Sequence, residues 1–271
     1  MDEFVSYDNK TKLRKEGGLT SAQFDLIDSL KPFTGLLLHS SKKFAVLTLD
    51  KRYFLIDLDE IKVEQTATSK QAKAMIRERA KGIPHPSAEE LESYLNRWNA
   101  DPNVYAPEAA LDKLFKEMCP GNHSVEEVML KVAALNTVYA TQIYSVYPMA
   151  KHIVELNIDD RLAVGDEQLV NDMKGVEYEG KISHRDHYSF ASKYCSFHNS
   201  EAFPIYDSYV EKVLLHYRDA DGFCDFKQEE LKDYPTFKRV MAAFQQHFGL
   251  EGYTVKQLDQ YLWQFGKKYF R

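Results

Sequence analysis

Cysteine is scarce in this chain. Of 271 residues only Cys119, Cys195 and Cys224 are cysteines, and no two form a CxxC pair. So few and so scattered, they argue against a disulfide framework or a cysteine-rich zinc site and fit a reducing compartment. Glycine is sparse too, with 12 dispersed positions. No Walker loop, dinucleotide-binding glycine pattern or nucleophile elbow occurs, which argues against the common nucleotide-binding enzymes. No apolar run reaches the ~20 residues that a membrane-spanning helix needs. The opening stretch MDEFVSYDNKTKLRKEGG has no apolar signal core. A cytoplasmic protein without membrane contact is the expectation. An excess of positive charge is also missing: the net charge is −6, which weighs mildly against a nucleic-acid partner.

Apolar residues make up 44% of the chain, enough to build a sizeable core, and Tyr and Phe number 17 and 16. Aromatics in such numbers serve cores and base-stacking pockets alike. Charge is unevenly spread. SKQAKAMIRERAKG (69–82) sets five cations against Glu78, and the C-terminal GKKYFR is basic, whereas NIDDRLAVGDEQ (157–168) is acidic. The basic stretch reads either as a solvated helix face or as a local phosphate-binding strip.

Residues 34–65 hold three short apolar runs split by HSSKK and LDKR, the pattern of a small antiparallel β-meander. Thr20 with Gln23, Ser87 with Glu90, Ser124 with Glu127 and Thr254 with Gln257 stand in capping-box spacing. From residue 87 onward, apolar residues recur at spacings of three and four, as in Leu91, Tyr94, Leu95 and Trp98. GIPHP near residue 84 interrupts the pattern. The expectation is a mainly α chain, α+β overall, with an N-terminal region over 1–85 and a helical domain over 86–271.

Two motifs fail on spacing. HRD at 184–186 lacks the Asn that a kinase catalytic loop requires five residues later, since position 191 is Ala. His184, His187, Cys195 and His198 match no zinc spacing. FPIYDSYV (203–210) poses a sharper question, because Asp207 stands at the start of a new amphipathic run. It serves as a helix cap, as a reactive carboxylate held at a helix start, or as both.

LKVAALNTVYATQIYSVYPMAKHI (130–153), YSFASKYCSFHNSEAFPIYDSYVEKVL (188–214) and LDQYLWQFGKKY (258–269) together resemble the helix-hairpin-helix DNA glycosylase superfamily. The likeness is to the bacterial branch with the 8-oxoguanine DNA glycosylase fold, and it covers about 127–270. FPIYDSYV falls where that family has an apolar-Pro-Val-Asp run whose Asp is essential. SKYCSF falls where its hairpin leads through a Lys into the next helix. The resemblance thus implies Asp207 as the catalytic carboxylate and Lys193 as the amine nucleophile of lyase-competent members. It implies Asn136, Tyr139, Tyr194 and Tyr206 at the base pocket. The family's hairpin reads Leu-Pro-Gly-Val-Gly before the Lys, so that backbone N–H groups grip a phosphate. HRDHYSFASK has no glycine, and His184, Arg185 and His187 become the candidate phosphate contacts.

The function so implied is hydrolysis of the N-glycosidic bond of a damaged or modified base in DNA, with no cofactor and no metal. Positive charge grows on the sugar as the base leaves, and a fixed carboxylate stabilises it most in the transition state. The base must first leave the stack for an aromatic pocket. Two rivals stand beside this reading. One is a non-catalytic DNA-binding module of the same fold, with salt-dependent affinity. The other is a helical protein-interaction or defence component without nucleic-acid contact, which the acidic net charge favours. Resemblance of fold does not fix function.

Overall fold

The computed structural model describes residues 4–30, 35–178, 181–182 and 186–270. The chain divides into two compact units, one of residues 1–85 with 216–222 and the other of 86–215 with 223–271. It is mainly α-helical, with a small antiparallel β-sheet near the N-terminus. Among the described residues, no helix is long and apolar enough to cross a membrane.

The first unit is built on strands β1 (Phe4–Tyr7), β2 (Gly35–His39), β3 (Phe44–Leu49), β4 (Arg52–Asp57) and β5 (Lys62–Thr66), ordered β1-β2-β3-β4-β5 and antiparallel throughout. Helices α1 (Lys10–Glu16) and α2 (Ser21–Ser29) lie between β1 and β2, and α3 (Ser69–Lys81) follows β5. Side chains alternate across the pleat. Ala45, Leu47 and Ile56 therefore pack with Leu13 and Ile27, while Phe44, Val46 and Leu55 pack with Ala72 and Ile76 of α3. The three central strands coincide with the three apolar runs. The outer strands β1 and β5 and helix α1 extend the expected meander. KVEQT of β5 is exposed over its first four residues, so an edge strand here carries no apolar alternation to betray it. Asp50 and Lys51 adopt φ of 47° and 62°. They form the two-residue turn that joins Leu49 to Arg52 across the β3–β4 pair.

The second unit begins with α4 (Ala88–Ala100) and α5 (Pro102–Lys113), which runs into a π-helical turn, Leu114–Met118. There follow α6 (Val125–Tyr139), α7 (Val146–Glu155), α8 (Asp159–Val164) and α9 (Leu169–Met173). A two-stranded ribbon, β6 (Glu177–Tyr178) with β7 (Lys181–Ile182), precedes α10 (Tyr188–His198). Then come α11 (Ser208–Asp221), a 3-10 turn (Gln228–Lys232), α12 (Tyr234–His247) and α13 (Val255–Tyr269). Thr254 and Gln257 form the full reciprocal capping box on α13. Ser87 accepts the Glu90 N–H on α4, while the Glu90 carboxylate accepts the hydroxyl of Tyr261. Pro148 falls in the first turn of α7, where a missing N–H costs nothing.

α10 is buried all round, because Ser192, Lys193, Cys195 and Ser196 are as enclosed as Phe190, Tyr194 and Phe197. α4 and α13 meet through Tyr94, Tyr261, Trp98 and Trp263, the two indoles lying edge to face at 5.8 Å. Gly266 allows α13 to touch the first turn of α11, since a Cβ there would lie 2.7 Å from the Tyr209 carbonyl oxygen.

Candidate active site

The segment 203–207 lies between helices without regular secondary structure, and three side chains tie it down. Tyr234 donates its hydroxyl to the Pro204 carbonyl at 2.8 Å, Asp259 Oδ2 accepts the Ile205 N–H at 2.8 Å, and Ser192 Oγ accepts the Tyr206 N–H at 3.0 Å. Asp207 thereby reaches the start of α11 in a fixed position. Its Oδ1 accepts the Tyr209 N–H at 2.8 Å, the bond expected of an N-cap. Its Oδ2 lies 3.6 Å from Lys193 Nζ. One carboxylate is both cap and ion-pair partner.

A helical lysine such as Lys193 ordinarily keeps its ammonium in water. Here its side chain is only 4% exposed, against 20% for Asp207. Nζ donates to Ser189 Oγ at 2.7 Å and to the Tyr206 carbonyl at 3.3 Å, and it lies 5.6 Å from the centre of the Tyr139 ring. Burial pushes the Lys193 amine below the ordinary lysine range, and the Asp207 charge opposes that shift. A neutral amine has two N–H bonds and one lone pair. The two bonds match the two acceptors.

Lys193 and Asp207 line a cleft of about 640 Å³. Trp98, Tyr139 and Trp263 supply aromatic wall, and Glu108, Lys256 and Asp259 supply charge. Glu108 is a buried hub. It accepts from Tyr139 Oη at 2.9 Å, Lys256 Nζ at 3.1 Å and Gln260 Nε2 at 3.2 Å. Burial, then the Glu108 charge, pushes the Tyr139 phenol far up. Its ring therefore stays neutral beside the Lys193 amine. Among the described residues, no group of three or more His, Cys, Asp or Glu side chains is placed to hold a metal ion.

Of the residues named from sequence, Tyr139, Lys193 and Asp207 converge on this cleft, while Asn136, Tyr194 and Tyr206 are not among its walls. Asn136 closes the end of α6, accepting the Ile143 N–H at 2.9 Å and the Thr141 hydroxyl at 3.0 Å. Tyr194 follows Lys193 by one residue, about 100° around the helix, and so enters the core. There it donates to Asn122 Oδ1 at 2.6 Å and meets Phe115 edge to face. Tyr206 immediately precedes Asp207 but is not part of the cleft wall. Its ring packs on Tyr188 at 4.7 Å and its hydroxyl bonds Glu211. His187 precedes α10, donating its N–H to the Lys174 carbonyl and accepting the Ala191 N–H. His184 and Arg185 lie outside the described residues.

Sequence reading missed Glu108, Lys256, Asp259 and Trp263 as residues of the cleft. A signal was available for Asp259. It adjoins Leu258 in a stripe continued by Tyr261, Leu262 and Phe265, all buried, and a carboxylate beside such a stripe requires a partner.

The HI_0787_N family model, an N-terminal domain, matches residues 90–202. That stretch contains Glu108, Tyr139 and Lys193 and stops short of Asp207 and Asp259. An uncharacterized protein of Haemophilus influenzae is 44% identical over 147 residues, which is 54% of this chain and 69% of that protein. No solved structure matches the chain.

Proposed function

For this chain, which belongs to the HI_0787_N family and has the uncharacterized Haemophilus influenzae protein as a relative, we propose a glycosylase-like activity. It cleaves the N-glycosidic bond of a modified base in DNA. The observation that carries the reading is the buried Lys193 amine, 3.6 Å from Asp207, opening on an aromatic-walled cleft. The order of Lys, aromatic pocket and capping Asp supports the resemblance to the helix-hairpin-helix glycosylases. The residues just before Lys193, Tyr188–Ser192, belong to α10 and include no glycine. Phosphate gripping must therefore use side chains rather than the family's glycine N–H groups.

In this reading the base stacks against Trp98, Tyr139 or Trp263. Asp207 stabilises positive charge at C1′ as the base departs with the bonding pair. The Lys193 lone pair then forms a bond to C1′, and one amine proton passes to Asp207. Opening of the sugar ring places a proton on its oxygen and leaves a C1′=N Schiff base. Burial favours this chemistry because it lowers the cost of releasing the amine proton.

The test is reduction with borohydride during incubation with a labelled duplex bearing an abasic site. The expected result is a covalent protein–DNA adduct for wild type, absent from Lys193→Gln and strongly reduced in Asp207→Asn. Equal adduct in Lys193→Gln would move the nucleophile elsewhere. No adduct together with no salt-sensitive binding would overturn the proposal and favour the protein-interaction rival.

A further inference from the structure

The carboxyl group of Asp259 takes no part in the chemistry above. α13 presents Lys256, Asp259, Gln260, Trp263 and Lys267 to the cleft, at the spacings of one helix face. Asp259 is 4% exposed. Its Oδ2 accepts the Ile205 N–H at 2.8 Å, while Oδ1 is buried and has no hydrogen-bond partner among the described residues. An ionised carboxylate with one oxygen orphaned in this way is costly. A neutral acid instead makes that oxygen a hydroxyl donor, on a residue that lines the cleft.

The charged surroundings agree. Burial pushes the Asp259 acid well above the ordinary carboxyl range, and Glu108 on α5 adds to the shift. The Ile205 N–H, Lys256 on α13 and Lys193 on α10 oppose it. Asp207 stands two residues beyond the Ile205 bond. The cleft thus contains two carboxyl groups in unlike settings. Asp207 is partly exposed, capping a helix and beside an amine, and Asp259 is enclosed with one oxygen unpaired. Two carboxyl groups in environments that differ this much take opposite proton roles.

We propose that Asp259 is the general acid of this cleft, passing its proton to the base as the base leaves the sugar, an inference that rests on the glycosylase reading of the same site. The C1′–N bond breaks with its electron pair on the base, the Asp259 O–H proton moves to the base, and a neutral base departs. In the hydrolytic branch a water oxygen bonds to C1′ and its proton goes to Asp207. Exchange with solvent then removes the proton from Asp207 and restores it to Asp259. Substrates whose base is neutral in the duplex require this proton. Bases already cationic through N-methylation do not.

Duplexes carrying hypoxanthine, uracil or 8-oxoguanine provide neutral leaving groups, and duplexes carrying 7-methylguanine or 3-methyladenine provide cationic ones. Wild type and Asp259→Asn are compared on both sets, after melting curves establish that the variant is folded. Asparagine keeps an oxygen for the Ile205 N–H. The expected result is a loss of about 100-fold on neutral bases, with release of cationic bases within a few-fold of wild type. Equal rates for variant and wild type on both sets, or equal losses on both, would overturn the acid role and leave the glycosylase reading intact. Wild type inert on every probe would overturn that reading, and the acid role with it. Infrared difference spectra at neutral pH add a readout independent of turnover. A protonated carboxyl C=O band should appear in wild type and Asp207→Asn and vanish in Asp259→Asn. Its absence from wild type would show Asp259 ionised and sink the proposal.

Discussion

Asp207 performs two jobs with two oxygens, and two substitutions separate them. Asparagine is as good an N-cap as aspartate, whereas alanine forfeits about 1 kcal/mol of capping. Both remove the charge that lies 3.6 Å from Lys193 Nζ. Breaking a fully buried pair costs about 3–5 kcal/mol. Lys193 keeps Ser189 and the Tyr206 carbonyl as acceptors, and burial already favours its release of the proton. We therefore expect a smaller charge term of about 1–2 kcal/mol, as for a lost hydrogen bond to a charged group. Urea unfolding should then place Asp207→Asn about 1–2 kcal/mol below wild type and Asp207→Ala about 1 kcal/mol lower still. Base release and borohydride adduct should fall together in both variants, by about 100-fold or more. The Lys193 amine, deprived of its anion, should titrate lower than in wild type. Full activity in Asp207→Asn would refute the chemical role. Equal stability of the two variants would refute the cap.

His198 lies 3.3 Å from Lys131 Nζ and packs on Phe115, and burial, reinforced by the Lys131 charge, pushes its imidazole down to about 3. The unfolded chain takes up that proton near the ordinary histidine value of about 6.5, while the folded chain does not. This contribution to stability is complete above that value and lost as pH falls toward 3, at up to ~1.4 kcal/mol per pH unit. Denaturant titrations across this range should show a shallower slope for His198→Phe than for wild type. An unchanged slope would mean that His198 titrates normally. Gly266→Ala places a Cβ 2.7 Å from the Tyr209 Cβ and carbonyl oxygen. It should cost about 1–3 kcal/mol through overpacking and lower base release by displacing the start of α11, measured by melting and turnover on one preparation. Tyr139→Phe retains the ring beside Lys193 and loses only the bond to Glu108. Adduct formation should persist in Tyr139→Phe and fall severalfold in Tyr139→Ala, consistent with a base-stacking contribution of ~1 kcal/mol.

Much of this was legible along the chain. The apolar runs of 34–65 specify β2, β3 and β4 because a strand packed on both faces must be apolar throughout. The cap pairs at Thr20, Ser87, Ser124 and Thr254 specify helix starts because an exposed N–H at a helix end recruits the nearest side-chain oxygen. Asp207 could be singled out for the same local reason. The edge strands β1 and β5 escaped because their outer residues meet water and follow no pattern. Tyr194 was misplaced because the next residue on a helix points about 100° away, and Tyr206 because its ring packs on Tyr188 and its hydroxyl bonds Glu211.

The sequence by itself thus determined the helical class, the meander and the carboxylate at the head of α11, all features set by contacts within a few residues. Only the tertiary structure decided that Lys193 is buried beside Asp207, that Glu108 gathers three donors, and that Asp259 lines the cleft and keeps one buried oxygen unpaired. Each of those depends on residues between 14 and about 150 positions apart. Burial and electrostatic environment belong to the packed assembly of helices and appear nowhere in the local pattern.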